Sequence, residues 1–239
     1  MYGLITKNND GEIQIDSIYR NFSLDETFTS EIITNGNHVF GSYYTGVTLS
    51  SSPLVPLVLM RPDTDRFVVL RSYNRTDSNY NRADFITEAS TGGALTTDID
   101  IKSYRENRTA SGEDYGLLVY NSGGSLCFDS GKSYFKIHAV ESITLSAPSE
   151  GSAPYEDITH GNIANPYYIL SPMSIYAYGY FLFQPPPTFA VACSMIGIKK
   201  LTSTSVRVGW FFYRLSQTGG LITAAGVNPT MKLIICDVG

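Results

Sequence analysis

The sequence predicts an all-β protein of two tandem β-sandwich-like domains with little helix, and three observations lead there. Short apolar runs alternate with Gly, Asn, Ser, Asp and Pro clusters, and nowhere do apolar residues hold a 3.6-residue period for three turns. The chain has 239 residues, 43% hydrophobic and 13% aromatic, which excludes disorder as the bulk state and allows one large core or two of roughly 110 to 120 residues each. An internal repeat selects the second option.

The apolar runs define strands in order. Gly3 to Lys7 and Glu12 to Asp16 alternate around a polar turn, and Glu31 to Thr34, Val55 to Met60, Arg66 to Tyr73 and Ile99 to Tyr104 are rich in Val, Ile, Tyr and Thr. Gly116 to Tyr120 and Ser125 to Asp129 again flank a polar turn, followed by Tyr134 to Ala139 and Tyr167 to Leu170. Ser174 to Phe183, Thr188 to Ile198, Val206 to Leu215 and Met231 to Cys236 complete the series. Gln184-Pro185-Pro186-Pro187 must leave the sheet, because consecutive prolines donate no ladder hydrogen bonds.

The repeat aligns Tyr2 to Ser17 without gaps on Tyr115 to Ser130, with seven of sixteen positions identical at an offset of 113 residues. The register carries on to Phe22/Phe135 and Leu24/Ile137. Each copy is a hairpin by its own chemistry: Asn opens and Gly closes a tight turn between alternating strands, and Asp-Ser follows as a second turn. The expected domains are residues 1–112 and 113–239, joined at Ala110 to Asp114. A weaker echo, Gly220 to Thr223 with Met231 to Asp237, suggests a hairpin at the end.

Charge narrows the function classes. The net charge is −5, only 16% of residues are charged against about 25% in ordinary domains, and Lys and Arg form no run. Counterion release then cannot support strong nucleic-acid binding. The opening Met1-Tyr2-Gly3-Leu4 lacks a signal-peptide pattern, and the longest strongly apolar run, Ile175 to Phe183, is nine residues against about 20 for a spanning helix. No membrane insertion is expected, and synthesis in the cytoplasm is.

Catalytic signatures mostly fail, although carboxylate pairs such as Asp63/Asp65 and Glu156/Asp157 are of the kind a glycosidase could use. The sequence contains no nucleophile elbow, phosphate loop, dinucleotide fingerprint or His-Glu-x-x-His, and His38, His138 and His160 stand apart. Neither metal nor cofactor is expected, and Cys127, Cys193 and Cys236 read as buried reduced thiols. Asp98 and Asp100 alternate with Ile99 and Ile101, as on the solvent face of a strand.

Three segments are candidate binding or interface sites. Tyr176, Tyr178 and Tyr180 share one strand face, which suits an ordinary half-buried sheet, a subunit interface or a glycan platform. The polar stretch Ser72 to Arg82 carries Tyr73, Arg75, Tyr80 and Arg82 and is expected to be a loop, whether merely solvated or binding. A comparable loop over Ala147 to Asn165 carries Tyr155.

The segment Tyr115-Gly116-Leu117-Leu118-Val119-Tyr120-Asn121, with Gly124 and Phe128-Asp129-Ser130, resembles the opening hairpin of small tail-tip or tail-fibre-associated virion proteins of tailed bacteriophages. Its first copy departs conservatively at Thr6 and Ile15. The resemblance implies β-rich domains, a homotrimer, other phage tail proteins as partners, location in the virion after assembly in the host cytoplasm, and contact with the host surface. It implies no catalytic residues. A non-enzymatic tail protein serving assembly or adsorption is therefore the first expectation. A monomeric carbohydrate-binding module is the alternative, since Tyr, Ser, Thr and Asn also suit a host glycan. A polysaccharide-degrading tail enzyme is the third.

Overall fold

Both copies of the repeat pair their two strands antiparallel, as the repeated hairpin pattern predicts. In the computed structural model, which describes residues 5–7, 13–16, 21–35, 45–63, 66–88, 95–106, 109–148, 153–171, 175–182, 188–217 and 230–238, β1 (Ile5–Lys7) pairs with β2 (Ile13–Asp16). Farther along, β9 (Leu118–Tyr120) pairs with β10 (Leu126–Asp129). The registers match residue for residue at the 113-residue offset: Ile5 faces Asp16 and Thr6 faces Ile15, as Leu118 faces Asp129 and Val119 faces Phe128.

The remaining strands come from each half in turn. Residues 22–106 supply β3 (Phe22–Asn35), β4 (Thr45–Ser52), β5 (Leu57–Pro62), β6 (Val68–Thr76), β7 (Asn79–Thr87) and β8 (Leu95–Glu106). Residues 135–238 supply β11 (Phe135–Thr144), β12 (Tyr155–Thr159), β13 (Pro166–Ser171), β14 (Ile175–Leu182), β15 (Thr188–Thr202), β16 (Ser205–Gln217) and β17 (Thr230–Val238). No helix occurs among the described residues.

These strands form two large antiparallel sheets in a sandwich-like arrangement. One has the order β11-β17-β13-β5-β8-β3, and the other β12-β16-β15-β6-β7-β4 with β14 added on β15. Apart from β14, the pairings of the first half recur in the second. The halves meet at β5 against β13, where Met60 faces Tyr168, and at β6 against β15, where Val68 faces Ile198. Each sheet order therefore reads alike from both ends, as a pseudo-two-fold between those seams requires.

Alternation places the core between the sheets. Val47, Val58, Val68, Phe85, Ile99 and Ile101 from the first half join Ile143, Tyr168, Ile196, Ile198, Trp210, Met231 and Leu233 from the second in one buried cluster. Fully burying each such side chain contributes about 1.5–3 kcal/mol. Smaller clusters occupy the outer faces: Leu59, Tyr104, Tyr167, Cys236 and Val238 on the first sheet, and Phe67, Val69, Ile86, Met195 and Phe211 on the second.

Three strands go beyond the sequence expectation. The edge strands β4 and β12 are polar because little of them turns inward: Val47 and Leu49 are buried in β4, and Ile158 in β12. Strand β7 begins in a polar arm and becomes buried only from Ala83 onward. Asp100, expected on a solvent face, is buried and accepts hydrogen bonds from Nε and Nη2 of Arg61, whose Nη1 donates to Asn165 Oδ1. Burial of Cys127 and Cys236 agrees with the thiol reading, and it pushes the Cys236 thiol up to about 12. The proline run 184–187, the segment 220–223 and the side chains of Cys193 and His38 lie outside the described residues.

One buried polar pair makes stability depend on pH. Tyr168 Oη and His160 Nε2 lie 2.8 Å apart, and the His160 amide donates to Thr204 O. Burial holds the His160 imidazole below its ordinary value of 6.5, and the His138 imidazole acts in the same direction, against the opposing influence of the Gly161 backbone. The unfolded chain thus binds the proton more readily. The stabilisation is complete above pH 6.5 and is lost as pH falls through the depressed folded value. Thermal melts should show a falling midpoint from pH 7.5 to 5, with a flatter profile in His160→Gln; parallel profiles would remove His160 as the cause.

Candidate functional site

The second hairpin is held by the residues that the repeat keeps identical. Asn121 Oδ1 accepts from the amides of Gly123 and Ser125, at 3.0 and 2.8 Å, and Gly124 closes the turn with φ of 76°. Gly116 leaves space that a Cβ would fill, 2.6 Å from Ser130 Oγ, and that oxygen accepts from the Leu117 amide at 2.7 Å. Asp129 accepts from the amides of Ser111 and Gly131 and from the Ser111 hydroxyl. Burial alone would raise the Asp129 carboxyl, but these donors outweigh it and hold the group below the ordinary range.

Two identical positions do nothing of this kind with their side chains. Tyr115 is 92% exposed, and Leu117 is exposed beside it. Leu118 and Tyr120 are exposed on the same hairpin, and Ile137 and Val140 on β11 are 53% and 51% exposed. Of the nine exposed large hydrophobic side chains among the described residues, six fall between 115 and 140. Exposed apolar side chains grouped in space form interaction surfaces, and these six are grouped along the chain. The residues were visible in sequence, but their exposure follows only from the structure, in which β11 ends its sheet and β9 and β10 form a sheet of their own.

The polar stretch predicted as a loop is instead the arm of the β6–β7 hairpin, with strand pairing continuing to Thr76 and Asn79. Asp77 and Ser78 both take positive φ, 50° and 72°, the two-residue turn that suits strand twist. Arg75 lies 4.9 Å above the Tyr80 ring and donates to Ser78 O, while Tyr73 meets Tyr80 edge-on at 6.3 Å. Burial pushes the Tyr73 hydroxyl up to about 12, against a Val58 backbone hydrogen bond. Arg82 donates to Asp84 at 2.6 Å, and Asn74 also donates to that buried carboxylate. Arg82 is thus committed to the fold.

Tyr155 stands on the edge strand β12, opposite Gly209. Arg207 lies 3.6 Å over its ring and makes a two-pronged bond to Asp157 at 2.6 and 2.8 Å, with the hydrogen bonds to Arg207 holding the Asp157 carboxyl below the ordinary range. The described contacts do not join Tyr155 to the β6–β7 arm. Tyr176, Tyr178 and Tyr180 occupy alternate positions of β14, facing Ser194, Ala192 and Ala190 in register, and their side chains lie outside the described residues.

Among the described residues, no group of three or more His, Cys, Asp or Glu is arranged to hold a metal ion, and no helix is long and apolar enough to cross a membrane. No family model, curated protein or solved structure matches the chain.

Proposed function

We propose that this protein is a non-enzymatic structural component of a bacteriophage tail, at the fibre or tip, that self-associates and serves virion assembly or host-surface adsorption. The observation that carries the reading is the run of exposed apolar side chains that begins on the β9–β10 hairpin, the segment that resembles the tail proteins, and continues on β11. Its partners are then two further copies in a trimer and neighbouring tail proteins, and its location is the virion after assembly in the host cytoplasm. Three weak sites on a rigid trimer would hold a repetitive host surface by avidity.

Light scattering behind a sizing column tests this. Three times the 26.3 kDa of one chain, or a multiple of that mass, is expected at micromolar concentration. A clean 26.3 kDa species would overturn the assembly reading. A carbohydrate-binding module is the second reading, favoured by the exposed Tyr155 ring that Arg207 and Asp157 hold in place. Glycan-array binding by that monomer, lost in Tyr155→Ala, would establish it instead.

A further inference from the structure

We infer that β11 is a self-complementary edge through which two copies of this chain pair antiparallel about a two-fold axis, joining their sheets into one. This rests on the self-association proposed above and adds a contact that a three-fold axis alone does not supply. Strand β11 ends its sheet, pairing with β17 and, among the described residues, with nothing on its other side. An open edge offers a row of backbone donors and acceptors to a further strand.

The two copies of the repeat differ in side-chain exposure at this edge. Leu24 on β3 and Ile137 on β11 are equivalent at the 113-residue offset. The Leu24 amide donates to Ser133 O at 2.8 Å, and its side chain packs on the outer cluster. Ile137 remains 53% exposed. Leu24 is half-buried where Ile137 is exposed, and the residue equivalent to Ser133 is Arg20, which lies outside the described residues.

The occupant follows from the side chains. A bulge between Ile137 and Ala139 shifts the alternation, so that Ile137 and Val140 face Cys236 and Ile234 in register, on the outer face. Lys136 and Glu141 take the other face, opposite Asp237 and Leu233. Turning a second β11 about an axis between His138 and Ala139 sets Ile137 against the partner's Val140. The same operation sets Lys136 against the partner's Glu141. Apolar meets apolar on one face and opposite charges meet on the other, twice over because the contact is isologous. Lys136 and the bulge, which discourage an arbitrary strand, become specificity elements for this one.

Charge exchange tests the pairing in the full-length chain. Lys136→Glu and Glu141→Lys each put like charges opposite, and each should weaken the contact about tenfold and halve the mass seen by light scattering near the wild-type midpoint. The double variant, with both charges exchanged, should restore wild-type mass. Circular dichroism melts identify any variant that misfolds, and Val140→Lys supplies an independent disruption. Mass unchanged in all the single variants, or not restored in the double, would overturn the β11 contact. A trimer insensitive to every variant removes this contact and keeps the tail reading. A wild type that halves from two chains to one supports the contact and removes the trimer. A monomeric wild type removes both.

Discussion

Phe85→Ala is expected to lower the unfolding free energy by about 3–5 kcal/mol, because its ring is wholly buried and the rigid strands around it cannot close the void. Phe85 pairs with Thr45 of β4 on one side and Leu70 of β6 on the other, so both neighbours are held by their own ladders. The consequence reaches the second half of the chain. Trp210, the single tryptophan, lies in the same cluster on β16 and donates its indole N–H to Ser146 O at 2.9 Å. Urea unfolding followed by Trp210 fluorescence and by far-UV circular dichroism should give one coincident transition, displaced equally in Phe85→Ala. A tryptophan transition that stays at the wild-type midpoint while the dichroism signal shifts would show instead that the halves melt independently.

Gly197→Val should cost about 3 kcal/mol by a different route. A Cβ at Gly197 would lie 2.7 Å from Phe211 Cε1 and 2.8 Å from the Val68 carbonyl oxygen. The first neighbour is a ring stacked on Phe67 at 5.7 Å, and the second is backbone, so neither can yield cheaply. Val68 is the residue that meets Ile198 where β6 joins β15. The added side chain therefore forces open a seam of the second sheet, and its effect should exceed that of Gly124→Ala. There the Cβ enters open space, and only the positive φ of 76° opposes it, at about 1 kcal/mol. Urea midpoints for the two variants check the order; equal losses would mean that the seam yields without strain.

Much of the local structure was legible in the sequence. The turn chemistry of Asn121, Gly124, Asp129 and Ser130 predicts the second hairpin, and the structure gives each of those residues a hydrogen bond or a dihedral that explains it. The polar strands β4, β7 and β12 were not legible, because a strand at an edge or in a projecting arm needs few apolar residues to be held by its neighbour. The candidate site was half legible. Tyr155 could be singled out as an aromatic in polar surroundings, but Arg207, which orients it, stands on a different strand with no local signal connecting the two.

Residues 135 to 144 mark the boundary between the two kinds of knowledge. Their composition alone makes them a strand, since Phe, Ile, Val and Thr recur among polar residues at strand spacing. That this strand closes one end of a sheet, with Ile137 and Val140 left bare, follows only from which strands meet across the seams at Met60 with Tyr168 and Val68 with Ile198. Turn formation and alternation depend on neighbours along the chain, so sequence by itself determined an all-β protein with a repeated hairpin. Sheet order depends on which buried side chains, far apart in sequence, fill one core together. The tertiary structure alone therefore decided where the apolar edge lies.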